Sequence, residues 1–160
     1  MTWRITWKSD PRALEIADRH YSRQKPGTKQ FTQNCRNLVL IQDNALWVTA
    51  FPKAEHVKHA WAGAWMNSFF RNEGAGLSSE LIREAVAITR AFVGFEPSLG
   101  MVTFVDPKHV RPTKVRGMDI YGFCYLKAGF THVGFSKTKK LWAWQMLPED
   151  MPAPFQEYDL

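Results

Sequence analysis

Cysteine is scarce in this sequence, and long apolar runs are missing from it. The two cysteines, Cys35 and Cys124, form no Cys-x-x-Cys pair, and neither they nor the five histidines show metal-ligand spacing. No segment has the ~20 consecutive apolar residues of a membrane span, and residues 1–10 lack the apolar run of a secretory signal. These absences predict a cytoplasmic protein without a disulfide, a metal site or a membrane partner.

Internal repeats, low-complexity segments and a composition break that would mark a second domain are also missing from the 160 residues. The hydrophobic fraction of 45% and the charged fraction of 22% are typical of a globular domain, and the length suffices for one core. We expect a single domain over residues 1–147, as a monomer or homodimer. A proline-rich acidic tail over residues 148–160 is expected to be loosely held.

The formal net charge is +6, and the basic residues are unevenly distributed. They concentrate in two segments that we interpret as loops, one following the first helix and one following the central strand. These residues are Arg19, Arg23, Lys25 and Lys29 in the first segment, and Lys108, Arg111, Lys114 and Arg116 in the second. Such clusters suit the phosphates of DNA, and an ordinary solvated surface is the alternative interpretation.

Hydrophobic periodicity predicts seven strands and three helices in the order β α ββ β α β α ββ. The strands are expected at residues 3–8, 37–42, 46–51, 60–71, 101–105, 132–137 and 141–147, and the helices at 11–20, 78–93 and 118–128. The continuous apolar run of residues 101–105 indicates a central strand covered on both faces.

The turn with the clearest chemical meaning joins the fourth strand to the second helix, with the sequence RNEGAG at residues 71–76. A glycine-rich turn that enters a helix exposes backbone N–H groups at the positive end of the helix dipole, where a phosphate or pyrophosphate binds. The turn lacks the ending of a Walker loop and is not a Gly-x-Gly-x-x-Gly loop. A plain strand-to-helix turn explains it equally well when it is taken alone.

The place of this turn in the chain gives a further indication of its function. Arg71-x-x-Gly74-x-Gly76, between the fourth strand and a long helix, resembles the coenzyme A pyrophosphate loop of the GNAT acyltransferases. Downstream, residues 125–130 resemble the Tyr-x-x-x-Gly-Phe motif that closes the GNAT core, with Tyr125 four residues before Gly129. The two motifs and the helix–strand–helix order between them cover roughly residues 60–137, about half of the chain.

This resemblance implies an α/β/α fold of the α+β class, with a mixed, mostly antiparallel central sheet of about six or seven strands and about three or four helices. It implies acetyl-CoA or another acyl-CoA as the donor, with the pantetheine arm between splayed fourth and fifth strands. The residues it places in donor binding are Arg71, Asn72, Gly74, Ala75 and Gly76. Tyr125 matches the general acid that protonates the departing thiolate, and packing of its ring under the sheet is the alternative.

A second resemblance concerns the acceptor. Four residues match positions of the Mom-type phage proteins, GNAT-like enzymes that modify the exocyclic amine of adenine in DNA: His20, Tyr21, Asp106 and Tyr125. Ser78 or Ser79 matches a polar position beside their cofactor loop. The match implies a protein encoded by a phage or mobile element. An aromatic amine is a poor nucleophile, so we expect Asp106 or His20 to take its proton, and Tyr21 or a tryptophan to stack on a flipped base.

Other interpretations stay open. His20 favours the negative end of a helix, and Asp106 before a proline is a common turn residue. At the level of function, the alternatives are an acetyl-CoA-dependent N-acetyltransferase of a small amine or protein, and a non-catalytic GNAT-fold module that binds DNA or protein.

Overall fold

The structure is a computed structural model that describes residues 2–23, 25–29, 31–32 and 35–156. Its strands are β1 Arg4–Thr6, β2 Asn37–Gln42, β3 Ala45–Ala50, β4 Trp65–Asn72, β5 Met101–Val105, β6 Thr113–Val115, β7 Met118–Ile120, β8 Thr131–Phe135 and β9 Trp142–Met146. Its helices are α1 Pro11–Asp18, α2 Ser78–Val93 and α3 Phe123–Ala128, with short 3-10 turns at Ala54–His56 and Pro148–Asp150.

Seven strands form one mixed sheet in the order β1-β2-β3-β4-β5-β9-β8, and β6 and β7 form a separate hairpin. Neighbours in the large sheet are antiparallel except β4 and β5, which are parallel. The expected α+β fold, with a mostly antiparallel sheet of six or seven strands and three or four helices, is confirmed. None of the described helices is long and apolar enough to cross a membrane.

The helices cover both faces of the sheet. α1 buries Ala13, Ile16 and Ala17 against one face, with β2, β3 and Phe69 of β4. α2 and α3 cover the other face, where Leu81, Ile82, Ala85 and Val86 of α2 pack with tryptophans of the sheet. The central strands β3 and β5 are therefore buried on both sides, which explains their continuous apolar sequences.

α1 begins where Asp10 caps it. The Asp10 carboxylate accepts a hydrogen bond from the backbone N–H of Arg12 (3.0 Å), and Pro11 at the first helical position has no N–H to satisfy. The helix ends at Asp18, two residues before the predicted end. His20 therefore lies in the turn after α1, where its backbone N–H still bonds back to the last helical turn (3.0 Å).

Residues 106–128 differ from the prediction of a basic loop and a helix over 118–128. A β-hairpin of β6 and β7 occupies the middle of this segment, and α3 begins only at Phe123. The hairpin turns at Arg116 and Gly117, which both have positive φ (52° and 81°), the geometry that suits two-residue hairpins. Gly122, with φ of 101°, then reverses the chain into α3. Similarly, the fourth strand begins at Trp65 rather than at residue 60, because turns occupy the preceding residues.

The C-terminal segment is held more firmly than expected as far as residue 156. Met151 is buried, the backbone N–H of Phe155 donates to the carbonyl of Ala87 (3.0 Å), and Arg90 donates to the carbonyl of Pro152 (2.7 Å). The segment therefore packs along α2. The acidic end, residues 157–160, lies outside the described residues.

Candidate functional site

The parallel strands β4 and β5 separate soon after they meet. Their backbones pair only at Trp65–Met101 and Met66–Val102, although β4 continues to Asn72 and β5 to Val105. Beyond these two pairs, the facing edges of the strands have no ladder between them. The splay that the sequence resemblance implies between the fourth and fifth strands is present in the structure.

A bulge in β4 lies beside this gap. The register with β3 shifts between Val48–Phe69 and Thr49–Asn67, which leaves Ser68 as the extra residue. The side-chain amide nitrogen of Asn67 stabilises the bulge, because it donates to the backbone carbonyls of Val48 (3.0 Å) and Phe69 (2.9 Å). The buried hydroxyl oxygen of Ser68 has no hydrogen-bond partner among the described residues.

Asn67 also connects the two sides of the gap. Its side-chain oxygen accepts from the phenol of Tyr125 (2.6 Å), and its backbone carbonyl accepts from the hydroxyl of Thr103 (2.9 Å). Tyr125 is buried, and burial raises its pKa well above its usual value. The residue predicted as general acid is therefore a neutral phenol, positioned in the gap by a buried amide.

A cavity of about 190 Å³ fills the gap between the separated strands. Tyr125 lines it from the side of the core beneath α2 and α3. His20, Tyr21 and Ser22 line it from the opposite side, where Phe69 joins the core beneath α1. Residues from both faces of the sheet therefore line the same cavity, with the predicted general acid on one side and the predicted acceptor-side residues on the other.

The imidazole of His20 is held in its neutral form. It lies 4.4 Å from the rings of both Phe69 and Tyr21, and its Nδ1 atom accepts from the backbone N–H of Ser22 (3.0 Å). Desolvation, together with the positive charge of Arg71, lowers the pKa of His20 to about 4. The backbone of Phe70 is a further hydrogen-bond partner of the ring, which lines the cavity in this neutral form.

Tyr21 connects His20 to Asp106. Its ring is stacked on His109 at 5.1 Å with an interplanar angle of 2°, and its hydroxyl lies 3.5 Å from the backbone nitrogen of Asp106. His109 Nδ1 in turn lies 3.0 Å from a carboxylate oxygen of Asp106. The fold thus places the three predicted acceptor-side residues next to one another.

Asp106 also has a local structural role. Its carboxylate accepts from the backbone N–H of Lys108 (2.9 Å), and its carbonyl accepts from the N–H of His109 (3.1 Å). The hydrogen bond from Lys108, together with His109, lowers the pKa of Asp106. A carboxylate with a lowered pKa and an imidazole with a pKa of about 4 are both weak bases.

The glycine-rich loop at residues 71–76 is organised by Asn72. The Asn72 side-chain oxygen accepts from the backbone N–H groups of Gly74 (3.1 Å) and Ala75 (2.8 Å). Its amide nitrogen donates to the carbonyl of Gly76 (2.8 Å) and to the hydroxyl of Ser78 (2.9 Å). Two of the amides predicted to hold phosphate are thus occupied within the loop.

Glu73 neutralises much of the positive charge at this loop. Arg19 donates to both of its carboxylate oxygens (2.7 and 2.6 Å), and Arg71 donates to one of them (2.7 Å). Arg19 first, and then Arg71, lowers the pKa of Glu73 to about 2. Both arginines are therefore ion-paired, rather than free to meet a phosphate of the donor or of DNA.

The first turn of α2 remains open to an anion. In the part of the chain that the structure describes, no hydrogen bond uses the backbone N–H groups of Leu77, Ser78 or Ser79. The helix is 16 residues long, and its positive end favours negative charge. The residues present therefore fit a phosphate at the first turn of α2, and they do not fit one at the amides of Gly74 and Ala75.

The basic residues divide into paired and free groups. Arg23 is not available for DNA: its side chain is 3% exposed and it donates to Asp18 (2.7 Å), which folds the loop on itself. Lys114 lies 3.3 Å from Asp119 across the hairpin. The remaining predicted residues are exposed: Lys25, Lys29, Lys108, Arg111 and Arg116.

Sequence reasoning missed Asn67, Ser68, Thr103 and His109. A signal for the first two existed, because two polar residues interrupt the apolar run of residues 64–70, and buried polar side chains need hydrogen-bond partners. Thr103 lies in an apolar strand and gives no such signal. Among the described residues, no group of three or more His, Cys, Asp or Glu side chains is arranged to hold a metal ion.

Comparison with protein-family models, curated proteins and solved structures gave no match to this chain.

Proposed function

We propose that this protein is a GNAT-type acyltransferase that moves an acyl group from an acyl-CoA to an exocyclic adenine amine in DNA. The observation that carries the proposal is the cavity between β4 and β5, which is lined from both faces of the sheet. The buried Tyr125 lines it from the core beneath α2 and α3, His20 and Tyr21 line it from the side of α1, and the first turn of α2 follows the loop after β4. A donor and an acceptor that enter from opposite faces meet in the gap.

On the donor side, the first turn of α2 and the hydroxyls of Ser78 and Ser79 would hold the phosphates. The unpaired edges of β4 and β5 and the partnerless hydroxyl of Ser68 suit the amide groups of a pantetheine arm. The bound thioester supplies the acyl group. Tyr125, kept protonated by burial, is the proton source for the departing thiolate: its O–H turns from the Asn67 oxygen, to which it donates in this structure, towards the sulfur.

On the acceptor side, an aromatic amine is a weak nucleophile and has to lose a proton as it attacks. His20, which lines the cavity, or Asp106 in the adjacent cluster takes this proton. Tyr21 is 40% exposed and presents an aromatic surface on which an extruded base can stack. The exposed cations Lys25, Lys29 and Lys108 lie in the segments that flank this cluster and suit DNA phosphates.

One observation favours a second candidate, a GNAT-fold module that binds nucleic acid without transferring a group. Asn72 occupies the amides of Gly74 and Ala75, and Glu73 places a negative charge in the loop. Both features weaken an anion site. Acyl-CoA binding therefore separates the candidates: a catalytic protein is stabilised against heat by millimolar acetyl-CoA, whereas the binding module shows no shift.

The decisive experiment is mass spectrometry of nucleosides from cells that express the protein. We expect a mass increase on adenine with the wild-type chain, its loss with Tyr125→Phe, and its retention with Tyr121→Phe. Tyr121 is a matched control because its ring packs on Trp142, outside the cavity lining. If the wild-type sample shows no modified base, the DNA-modification proposal fails. Acetylation of added small amines would then identify the N-acetyltransferase alternative.

A further inference from the structure

A second and larger cavity lies at the opposite end of β4 from the glycine-rich loop. Its volume is about 560 Å³, and its walls come from the start of β4, the end of β3 and the segment just before β2. The lining residues that carry the argument are Arg36, Phe51, Lys53, His56 and His59.

The described residues that line this cavity include cationic side chains and no carboxylate. Two cationic side chains and two imidazoles line it, and Glu55, outside the lining, has a carboxylate oxygen 3.9 Å from a ring nitrogen of His56. Within the described part of the chain, no ion pair involves Arg36 or Lys53. An anion that entered the cavity would meet unneutralised positive charge.

Arg36 is positioned by aromatic rings instead of a carboxylate. Its guanidinium carbon lies 5.7 Å from the centre of the Phe51 ring and 5.5 Å from that of Phe92. This arrangement orients the side chain and leaves its planar N–H donors available for a phosphate, which a guanidinium binds with two parallel hydrogen bonds.

Aromatic contacts join this cavity to the first one. The ring of His59 lies 5.2 Å from that of Phe104, and Trp61 lies 5.9 Å from the same ring. Phe104 lines the first cavity, whereas His59 lines the second. A nucleic-acid strand with one base in the first cavity would therefore pass these aromatic rings first. It would then reach the cationic side chains of the second cavity.

We propose that the second cavity binds a single-stranded nucleic-acid segment, with Arg36 and Lys53 on a phosphate and His59 and Trp61 beside a base. The identity of this segment, the strand next to the target base, rests on the function proposed above. A single strand fits better than a duplex because the site is concave and its rings must reach unstacked bases.

The test is fluorescence anisotropy of the full chain with a labelled oligothymidine of about 12 nucleotides. We expect the double substitution Arg36→Gln/Lys53→Gln to weaken binding about tenfold and to reduce the salt dependence of binding by one to two phosphate contacts, about 0.7 in slope for each. The matched control is Lys137→Gln/Lys139→Gln, which removes two exposed charges near the β8–β9 turn. It should change the affinity little.

Two results overturn the proposal: no binding by the wild-type chain, or equal losses in the two double variants. Lys53→Glu adds a safeguard because Lys53 is exposed, so its substitution disturbs no packing and should weaken binding on its own.

Tyr125→Phe separates this site from the reaction, since it should bind the oligonucleotide normally. If binding depends on Arg36 and no base is ever modified, the site stands and the proposed reaction fails. If bases are modified but binding ignores Arg36, only the site fails.

Discussion

The phenol of Tyr125 donates a 2.6 Å hydrogen bond to the side-chain oxygen of Asn67, and this bond joins α3 to β4 across the gap in the sheet. The same amide donates to Val48 and Phe69, and it therefore stabilises the bulge and the gap together. One buried side chain therefore bonds both to the bulge beside the cavity and to the phenol that lines it.

Replacing Asn67 by alanine should destabilise the protein strongly. The substitution leaves the Tyr125 hydroxyl and two backbone carbonyls without their partner in a buried site, and such losses cost roughly 2–4 kcal/mol in free energy of unfolding. Urea denaturation followed by circular dichroism measures the change.

A double-mutant cycle isolates the bond between the two side chains. Tyr125→Phe removes only the hydroxyl and leaves the Asn67 oxygen with Thr103, 3.2 Å away. The two substitutions should therefore be non-additive by about 1 kcal/mol. Strict additivity would show that the Asn67–Tyr125 bond contributes nothing to folding.

The sequence predicted the strands that flank the cavity, because they follow from local apolar patterns, whereas Tyr125 was chosen by resemblance. The sequence did not predict the bulge, since a bulge depends on how β3 and β4 pair, and pairing is a property of distant segments. His20, Tyr21 and Asp106 were chosen by resemblance, and their meeting depends on the turn after α1 and the end of β5. The β6–β7 hairpin was missed because its strands are three residues each, too short for periodicity to be seen.

Glu73→Gln should increase the affinity for acyl-CoA. The substitution removes the negative charge that holds Arg19 and Arg71, so both guanidiniums become free to approach phosphates. At low salt we expect calorimetry to give a dissociation constant about three- to tenfold lower than that of the wild-type chain. The gain in affinity should decrease as salt is added. Glu96→Gln is the matched control, because Glu96 pairs with Arg90 at the far end of α2 (3.1 Å). Weaker binding in Glu73→Gln would mean instead that the ion pairs hold the loop in its binding shape.

The glycine pattern of residues 71–76 described the anion site at this loop incompletely. The pattern indicates backbone N–H groups near a helix start, and the structure has them. It gives no information on whether a side chain within the loop already occupies those groups, as Asn72 does. The distinction between a free and a filled anion site depends on side-chain conformation, which spacing does not encode.

The low pKa of His20 should appear in the pH dependence of stability. The pKa falls from its usual 6.5 to about 4 in the folded protein, so the unfolded chain takes up the proton first as the pH is lowered. Stability should therefore decrease as the pH falls from 6.5 to about 4, and His20→Gln should lack this part of the decrease. Denaturant titrations at several pH values measure it.

Arg71→Gln tests the electrostatic part of the same shift. Loss of the nearby positive charge should raise the pKa of His20 towards its usual value, which is visible in the proton NMR titration of the imidazole ring. Lys139→Gln, an exposed cation outside the cavity lining, is the control and should leave the titration unchanged. A His20 ring that titrates near 6.5 in the wild-type chain would contradict its desolvated placement.

Asp10 supports the acceptor side from a distance, because it caps the helix whose end places His20. It is buried, accepts from the backbone N–H of Arg12, and pairs with the Arg12 guanidinium (2.8 Å), which lowers the pKa of Asp10 to about 2. Asp10→Ala should cost about 2 kcal/mol at neutral pH, since a cap and a buried acceptor are lost together. The cost should be complete above the usual pKa of 3.8 and decrease as the pH falls through about 2, where protonation removes the charge of the wild-type carboxyl but leaves it an oxygen for the cap. Asp10→Asn keeps an oxygen for the cap and should lose less, so equal losses in the two variants would show that the charge, and not the cap, holds α1 in place.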